Sequence, residues 1–314
     1  MTDILLPDGI TAGHAGDGAT GVTVILCPDG AVGGVDVRGC APGTRETDLL
    51  RPEKAIGSVN AIALCGGSAY GLGACDGVMR YLRERGKGHK IGPLVVPLVA
   101  GAVIYDLSAG EYNFPTAETG YAACLNAKSA GVEWGSVGAG TGASFGKIGA
   151  PGTASKGGVA AATVELDGVF VTAITVLNAL GDVRDPDTGL QAGGRGAKNG
   201  GGHSAKNLIL SGAFLRAAGA SAGAARPGGN TTLSCVVTNA GLGKLQANKL
   251  ASVCHDAFAR CIVPVHTDYD GDTVFALSKG DREFDFTTLS VMAVSAVEKS
   301  ILRAAAPGTG VKPL

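Results

Sequence analysis

The chain has 314 residues, enough for one large core or two modest domains. Its 26 Lys plus Arg balance 27 Asp plus Glu, so there is no basic field to attract nucleic acid or an anionic membrane surface. Apolar residues reach 45% with aromatics at 5%, and the 52 glycines are too scattered for a linker or a collagen repeat, which suits sheets and helices packed through Ala, Val and Gly.

Taken in order, Met1 to Asp8 lacks a basic region followed by an apolar run, so no signal peptide is expected. Gly21 to Cys27 and Ala31 to Val37 alternate like strands about the turn Pro28-Asp29-Gly30, which predicts a hairpin. Arg38 to Glu53 is polar and reads as a surface loop, and Asn60 to Cys65 as a buried strand. Gly66-Gly67-Ser68 then opens a helix with Ser68 as N-cap, a stripe of Leu72, Val78, Met79 and Leu82, and Gly86 at its end. The segment Ile91 to Leu107 is the most apolar in the chain, but Pro93, Pro97 and Gly101 interrupt it, so no membrane span is expected. Ala102 to Leu107 reads as a strand and Ala117 to Ser129 as a second helix. Gly158 to Leu166, the turn Asp167-Gly168 and Val169 to Val176 make the clearest hairpin, delivering Asn178 just past its end.

Leu180 to Ala205 reads as loop, Leu208 to Ala217 as a short helix, and Ala218 to Gly229 as a linker of Ala, Gly and Ser. Thr231 begins a strand that places Leu233, Cys235 and Val237 on one face. A helix follows from Lys244 to Cys261, with Leu250, Val253, Cys254, Ala257 and Cys261 on one side. Asp272 to Leu277 is a further strand, and the last helix, Leu289 to Ala305, buries Val294, Val297 and Ile301. Hairpins followed by paired helices predict two stacked sheets with helices outside, an α/β sandwich in one domain. The eight cysteines sit mostly in apolar segments without a CxxC pair, so reduced, buried thiols and a cytoplasmic location are expected.

Two stretches carry chemistry. At Asn230-Thr231 a flexible segment meets a strand whose first residue bears a hydroxyl. That hydroxyl can attack the Asn230 carbonyl, shift the acyl group to oxygen, and leave a new chain start with its own α-amine beside it. Two threonines opening a strand are equally ordinary strand formers, and both readings stand at this point. Asp268, Asp270 and Asp272 alternate just before the next strand. An acidic surface turn is one reading; a pair acting beside a nucleophile, as proton acceptor and counter-charge, is the other. A calcium loop fails, because position 6 would be Thr273 and position 12 Lys279. The glycine-rich run Gly138 to Lys147 lacks the spacing of a phosphate loop, with Thr141 and Ile148 at key positions, and lacks a dinucleotide pattern because Phe145 stands for the third glycine. No cofactor and no metal are expected.

Together, Asn230-Thr231-Thr232-Leu233, Val237-Thr238-Asn239 and His266 to Thr273 resemble the self-processing L-aminopeptidase/D-esterase (DmpA-type) family, which includes β-aminopeptidases and nylon-oligomer hydrolases. Gly18 to Val24, Leu64 to Leu72, Gly101 to Asp106 and Gly146-Lys147 match too, in order, over nearly the whole chain. The resemblance implies a four-layer αββα sandwich, self-cleavage into 1–230 and 231–314, and a homo-oligomer, a tetramer in the family. It implies Thr231 as nucleophile, Asn178 as oxyanion-binding amide, Tyr105 and Lys147 as active-site residues, and Asp270 and Asp272 flanking the nucleophile. Small peptides, amides or esters are the implied substrates. Classical aminopeptidase members carry Ser at the nucleophile and Ser and Glu at the flanking pair; threonine with two aspartates looks more like the nylon-oligomer branch. Ornithine acetyltransferases share this fold and also cut before Thr, so acyl transfer is the alternative, with a different motif at the cut. His255 and His266 are read as a helix residue and as structural support.

Overall fold

The computed structural model describes residues 4–107, 112–148, 154–194, 204–213 and 229–306. Nine strands form one hydrogen-bonded sheet: β1 (Thr11–Gly16), β2 (Gly21–Val37), β3 (Thr44–Arg45), β4 (Ser58–Cys65), β5 (Val99–Val103), β6 (Val159–Leu166), β7 (Val169–Asn178), β8 (Thr231–Ala240) and β9 (Thr273–Arg282). Their order is β6-β7-β8-β9-β2-β4-β5-β3, with β1 paired to β2. Four longer helices pack on it: α1 (Ala74–Glu84), α2 (Ala117–Leu125), α3 (Lys244–Cys261) and α4 (Phe286–Ala304).

The period-2 pattern sorts most buried apolar residues into three large cores, beside a small fourth cluster of Ile148, Leu180 and Ala205, and the three large ones define four layers. Val22, Val24 and Leu26 of β2 and Ala61, Ala63 and Cys65 of β4 face Val78 and Leu82 of α1 and Ala123 and Cys124 of α2. The opposite faces of the same strands, with Ile25, Ile62 and Leu64, meet Ile174, Val176, Leu233, Cys235, Val237 and Phe275 in a sheet-to-sheet core. Beyond it, Val171, Ala173, Val236, Val274 and Ala276 pack under Leu250, Cys254 and Phe258 of α3 and Leu289, Ala293, Val297 and Ile301 of α4. The chain is thus the expected αββα sandwich.

Strand β2 joins the two sheet layers, and here the expected hairpin is corrected. Residues 21–37 run on as one strand. Val22 to Leu26 pair with Cys65 to Ala61 of β4, and Val32 to Val37 pair with Ser278 to Thr273 of β9, with a register shift between Leu26 and Ala31. Pro28-Asp29-Gly30 makes the irregularity at which the strand passes from one layer to the other, as bulges do at sheet corners. The partner that folds back on its first half is β1, with Thr11 opposite Leu26.

Other boundaries shift for local reasons. Ser68 is no N-cap: it has φ +54° and starts a 3₁₀ turn over Ser68–Gly73 that leads into α1. The strand expected at 102–107 lies at Val99–Val103, leaving Tyr105 and Asp106 beyond its end. Helix α2 stops at Leu125. It crosses α1 closely because Gly77 and Gly120 stand where a Cβ would lie 1.7 Å from the Ala117 carbonyl oxygen and 2.0 Å from that of Ala74. The β6–β7 hairpin turns on Asp167 and Gly168 at φ +52° and +74°, the two-residue form its sequence predicts. Asn178 is the last residue of β7 rather than a residue past it. The expected loop 180–205 contains short strands at Asp182–Arg184 and Gln191–Gly193, and the short helix runs Ala205–Leu210. Residues 218–228 of the expected linker lie outside the described residues. Helix α3 has the expected limits, and α4 begins at Phe286, capped by the Asp285 carboxylate on the Thr288 N–H at 2.6 Å.

All eight cysteines are free, and only Cys40 is exposed. No helix among the described residues is long and apolar enough to cross a membrane.

Candidate active site

The site forms where three strand ends meet. Strand β8 lies between β7, antiparallel to it, and β9, parallel to it. The end of β7 and the starts of β8 and β9 therefore reach the same edge of the sheet. In this register Asn178 pairs directly with Thr231, and a single bridge sets Asn230 beside Asp270.

All six expected residues come together there. Thr231 is buried, and its hydroxyl donates to the Asn230 carbonyl oxygen at 2.5 Å. Asn178 is fully buried. Its Oδ1 accepts from the Ser144 N–H at 3.1 Å and from Lys147 Nζ at 2.8 Å. Those two donors fix which way the amide faces, so its Nδ2 donates to the Tyr105 carbonyl at 2.9 Å. Tyr105 thus joins the site through its backbone, while its side chain stays 41% exposed at the surface.

Lys147 Nζ also donates to the backbone oxygens of Asn178 at 3.2 Å and Gly229 at 3.3 Å. Burial pushes its pKa down to about 7, against the opposing pull of Asp270 and Asp106. Three oxygen acceptors match the three donors of an ammonium, so the hydrogen bonding favours the charged form that burial penalises.

The two aspartates have different surroundings. Asp272 accepts at both oxygens: Oδ1 from the Thr232 N–H at 2.7 Å, and Oδ2 from the His266 N–H at 3.1 Å and His266 Nδ1 at 2.9 Å. It ties the start of β8 to the turn before β9. Asp270 Oδ2 accepts from the backbone N–H and the hydroxyl of Thr267 at 3.0 and 2.5 Å. Burial, and next the charge of Asp272, push the Asp270 pKa up to about 6. A carboxyl at that value exchanges its proton near neutral pH.

One contributor escaped sequence reasoning. Asp106 accepts from the Gly67 N–H at 2.6 Å and the Thr20 hydroxyl at 2.8 Å, tying the Gly66-Gly67 turn to the segment that carries Tyr105. Burial raises its pKa. It was visible only as the residue after Tyr105 in a matching stretch. His266 supports Asp272, as expected of it. His255 is buried on α3, with Nε2 donating to the Asp36 carbonyl at 3.0 Å and a pKa lowered by burial to about 4, so it is a structural histidine.

The sandwich is the architecture of the N-terminal-nucleophile hydrolase fold. The L-aminopeptidase D-Ala-esterase/amidase of Ochrobactrum anthropi, described as a variant of that fold, superposes with a TM-score of 0.67 over 100% of this chain and 90% of its own, at 18% identity. A Burkholderia β-aminopeptidase superposes at 0.66 over 94% and 84%, at 20% identity. The chain belongs to peptidase family S58, whose model matches residues 2–312. An uncharacterized aminopeptidase of Mycobacterium tuberculosis is 44% identical over 83% of this chain and 74% of its own length. A 6-aminohexanoate-oligomer endohydrolase of a Kocuria species is 33% identical over 95% and 84%. Membership of a peptidase family supports amide hydrolysis over acyl transfer.

Proposed function

We propose that the chain cuts itself between Asn230 and Thr231 and then works as a threonine-nucleophile aminopeptidase or amidase. The observation that carries this is the Thr231 hydroxyl, 2.5 Å from the oxygen of the very carbonyl it would attack. The uncut chain also covers its own nucleophile, since Thr231 is only 3% exposed with Asn230 in place. Cutting frees the Thr231 α-amine and opens the position that Asn230 fills, so one event creates both the catalytic group and the access to it.

In turnover, the Thr231 hydroxyl attacks the substrate carbonyl. Its proton passes to a base, either the new α-amine or the Asp270 carboxylate, which is mostly ionised at neutral pH. The Asn178 amide steadies the oxyanion; one such donor contributes ~3 kcal/mol. Lys147 holds that amide in orientation and supplies positive charge. Asp272 keeps the start of β8 in place, and the exposed ring of Tyr105 lines the approach. The base returns its proton to the substrate nitrogen as the carbon–nitrogen bond breaks and the amine leaves, and water then hydrolyses the Thr231 ester, releasing the acid and restoring the hydroxyl.

The substrates we propose are small amides, peptides or esters with an apolar or ω-amino acyl group. The likeness to the 6-aminohexanoate-oligomer endohydrolase and the Thr, Asp, Asp set at 231, 270 and 272 support that class. The test is intact-mass analysis beside a panel of amino-acyl anilides and 6-aminohexanoate oligomers. Masses of 1–230 and 231–314 together with hydrolysis are expected. Hydrolysis by a chain that stays full-length after long incubation would refute the reading.

A further inference from the structure

Two groups approach the Asn230 carbonyl oxygen. One is the Thr231 hydroxyl. The other is the backbone N–H of Gly271, which donates to the same oxygen at 2.9 Å. This donor is held from both sides. The bridge between Asn230 and Asp270 has the same offset as the β8–β9 ladder that resumes at Leu233 and Thr273, so the sheet register sets it. On the outer side, Ala41 N–H donates to the Asp270 carbonyl at 2.9 Å and Arg38 N–H to that of Asp272 at 3.0 Å.

The position also demands glycine. A Cβ at residue 271 would lie 2.7 Å from Thr231 Oγ1 and 2.8 Å from the Ala41 carbonyl oxygen. Only a residue without a side chain brings its N–H this close to the carbonyl while leaving room for the attacking hydroxyl. The Asn178 amide points elsewhere, with Nδ2 on Tyr105. The two donors also flank β8 from opposite sides, Asn178 on β7 and Gly271 just ahead of β9.

We infer that the Gly271 N–H is the oxyanion donor for the cut before Thr231, a role separate from that of Asn178 in turnover. The inference rests on the self-processing reading above. In this step the Thr231 oxygen bonds to the Asn230 carbonyl carbon, and the carbonyl oxygen takes the negative charge opposite the Gly271 N–H. A hydrogen bond to a charged acceptor is about twice as strong as one to a neutral carbonyl, so the donor favours the intermediate over the ground state. The carbon–nitrogen bond then breaks, and the former hydroxyl proton ends on the Thr231 nitrogen. Water adds to the ester, giving the Asn230 carboxylate and restoring the hydroxyl. The cut carbonyl is tethered to Thr231 nitrogen, which turns its oxygen toward Gly271. A free substrate has no such tether and presents its oxygen to Asn178.

The test replaces the Gly271 amide with an ester by incorporating glycolic acid at position 271, which deletes the N–H and adds no side chain. A matched control incorporates lactic acid at position 41, deleting the Ala41 bond to the Asp270 carbonyl. Cutting is followed by gel and intact mass, and turnover is measured on material left until cutting is complete. The 271 ester is expected to slow cutting on the order of 100- to 1,000-fold. Its turnover once cut, and the cutting rate of the 41 ester, should stay within about threefold of the parent. Cutting by the 271 ester at the parental rate overturns the inference. So does an equal slowing by the 41 ester, which would make loop rigidity the cause, and so does a parallel fall in turnover. A parent chain that never cuts refutes the self-processing reading itself, a distinct result.

Discussion

Replacing Lys147 with methionine tests the electrostatics of the site most directly. Methionine keeps a flexible stem of similar length and removes the charge. The parent lysine has a pKa near 7 when folded, against 10.5 in an open chain. Between those values the unfolded chain holds a proton that the folded chain has lost, so raising pH stabilises the fold. Below pH 7 the full cost of burying the ammonium is present; it is relieved as pH rises toward 10.5. The slope approaches one proton, or roughly 2–3 kcal/mol from pH 7.5 to 9.5. For a chain of this size that is a rise of about 4 °C in melting temperature over the interval, relative to the Lys147→Met variant. The assay is melting of both proteins at one scan rate across the pH series, read as the difference between them, so that the buried thiols titrate in both and cancel. In the same variant the Asn178 amide loses a donor to Oδ1, and turnover should fall on the order of 100-fold. Identical pH slopes in the two proteins would show that Lys147 is not an ammonium held against its own burial, and the electrostatic account of the site would fail.

Other outcomes follow from the same geometry. Thr231→Ala should abolish both cutting and hydrolysis, and Thr231→Ser should retain some of each; parental turnover in Thr231→Ala would remove the nucleophile assignment. Asn178→Ala should lower turnover on the order of 100- to 1,000-fold while slow cutting persists over hours, read by anilide hydrolysis beside a gel. The kcat/KM profile should rise as pH passes through about 6, where the Asp270 carboxylate forms, and Asp270→Asn should remove that acid limb. An unchanged limb in Asp270→Asn would assign it to another group.

The sequence carried the layers well because they rest on periodicity. Leu233, Cys235 and Val237 alternate, and they do face the sheet-to-sheet core. Asp167-Gly168 is a hairpin signal with a backbone reason, and it forms that hairpin. Pro28-Asp29-Gly30 misled because the same residues that make a turn also make a bulge; only the tertiary pairing of β2 with both β4 and β9 distinguishes them. Ser68 has the chemistry of a cap but sits at positive φ. At the site, the six residues were legible through motif resemblance; the register explains why Thr231, Asn178 and Asp270 meet, with Asn178 opposite Thr231 and Asn230 beside Asp270, while Tyr105 arrives through its backbone alone. What stayed hidden was backbone chemistry. The Gly271 N–H and the Tyr105 carbonyl carry no residue-type signal, because every residue has these groups and only placement makes them matter. Asp106 was hidden differently, since its partners Thr20 and Gly67 lie far off in sequence.

The strand order has a mechanical consequence for a cut chain. Strands β8 and β9 both belong to residues 231–314, and they sit side by side in the interior of the sheet. One flank of the pair is zipped to β7 and the other to β2, both from residues 1–230. Helices α3 and α4, also from the second piece, close one outer layer over strands of both pieces. In a chain cut before Thr231 the two pieces would therefore be interlaced through the described strands and helices. Parting them means breaking two full ladders and opening two cores at once, which is unfolding. A cut enzyme should run as one species on a native gel at any dilution and fall into two only in denaturant. Its pieces share a single melting transition, and a mixture of the separated pieces regains activity only as fast as the whole sandwich refolds.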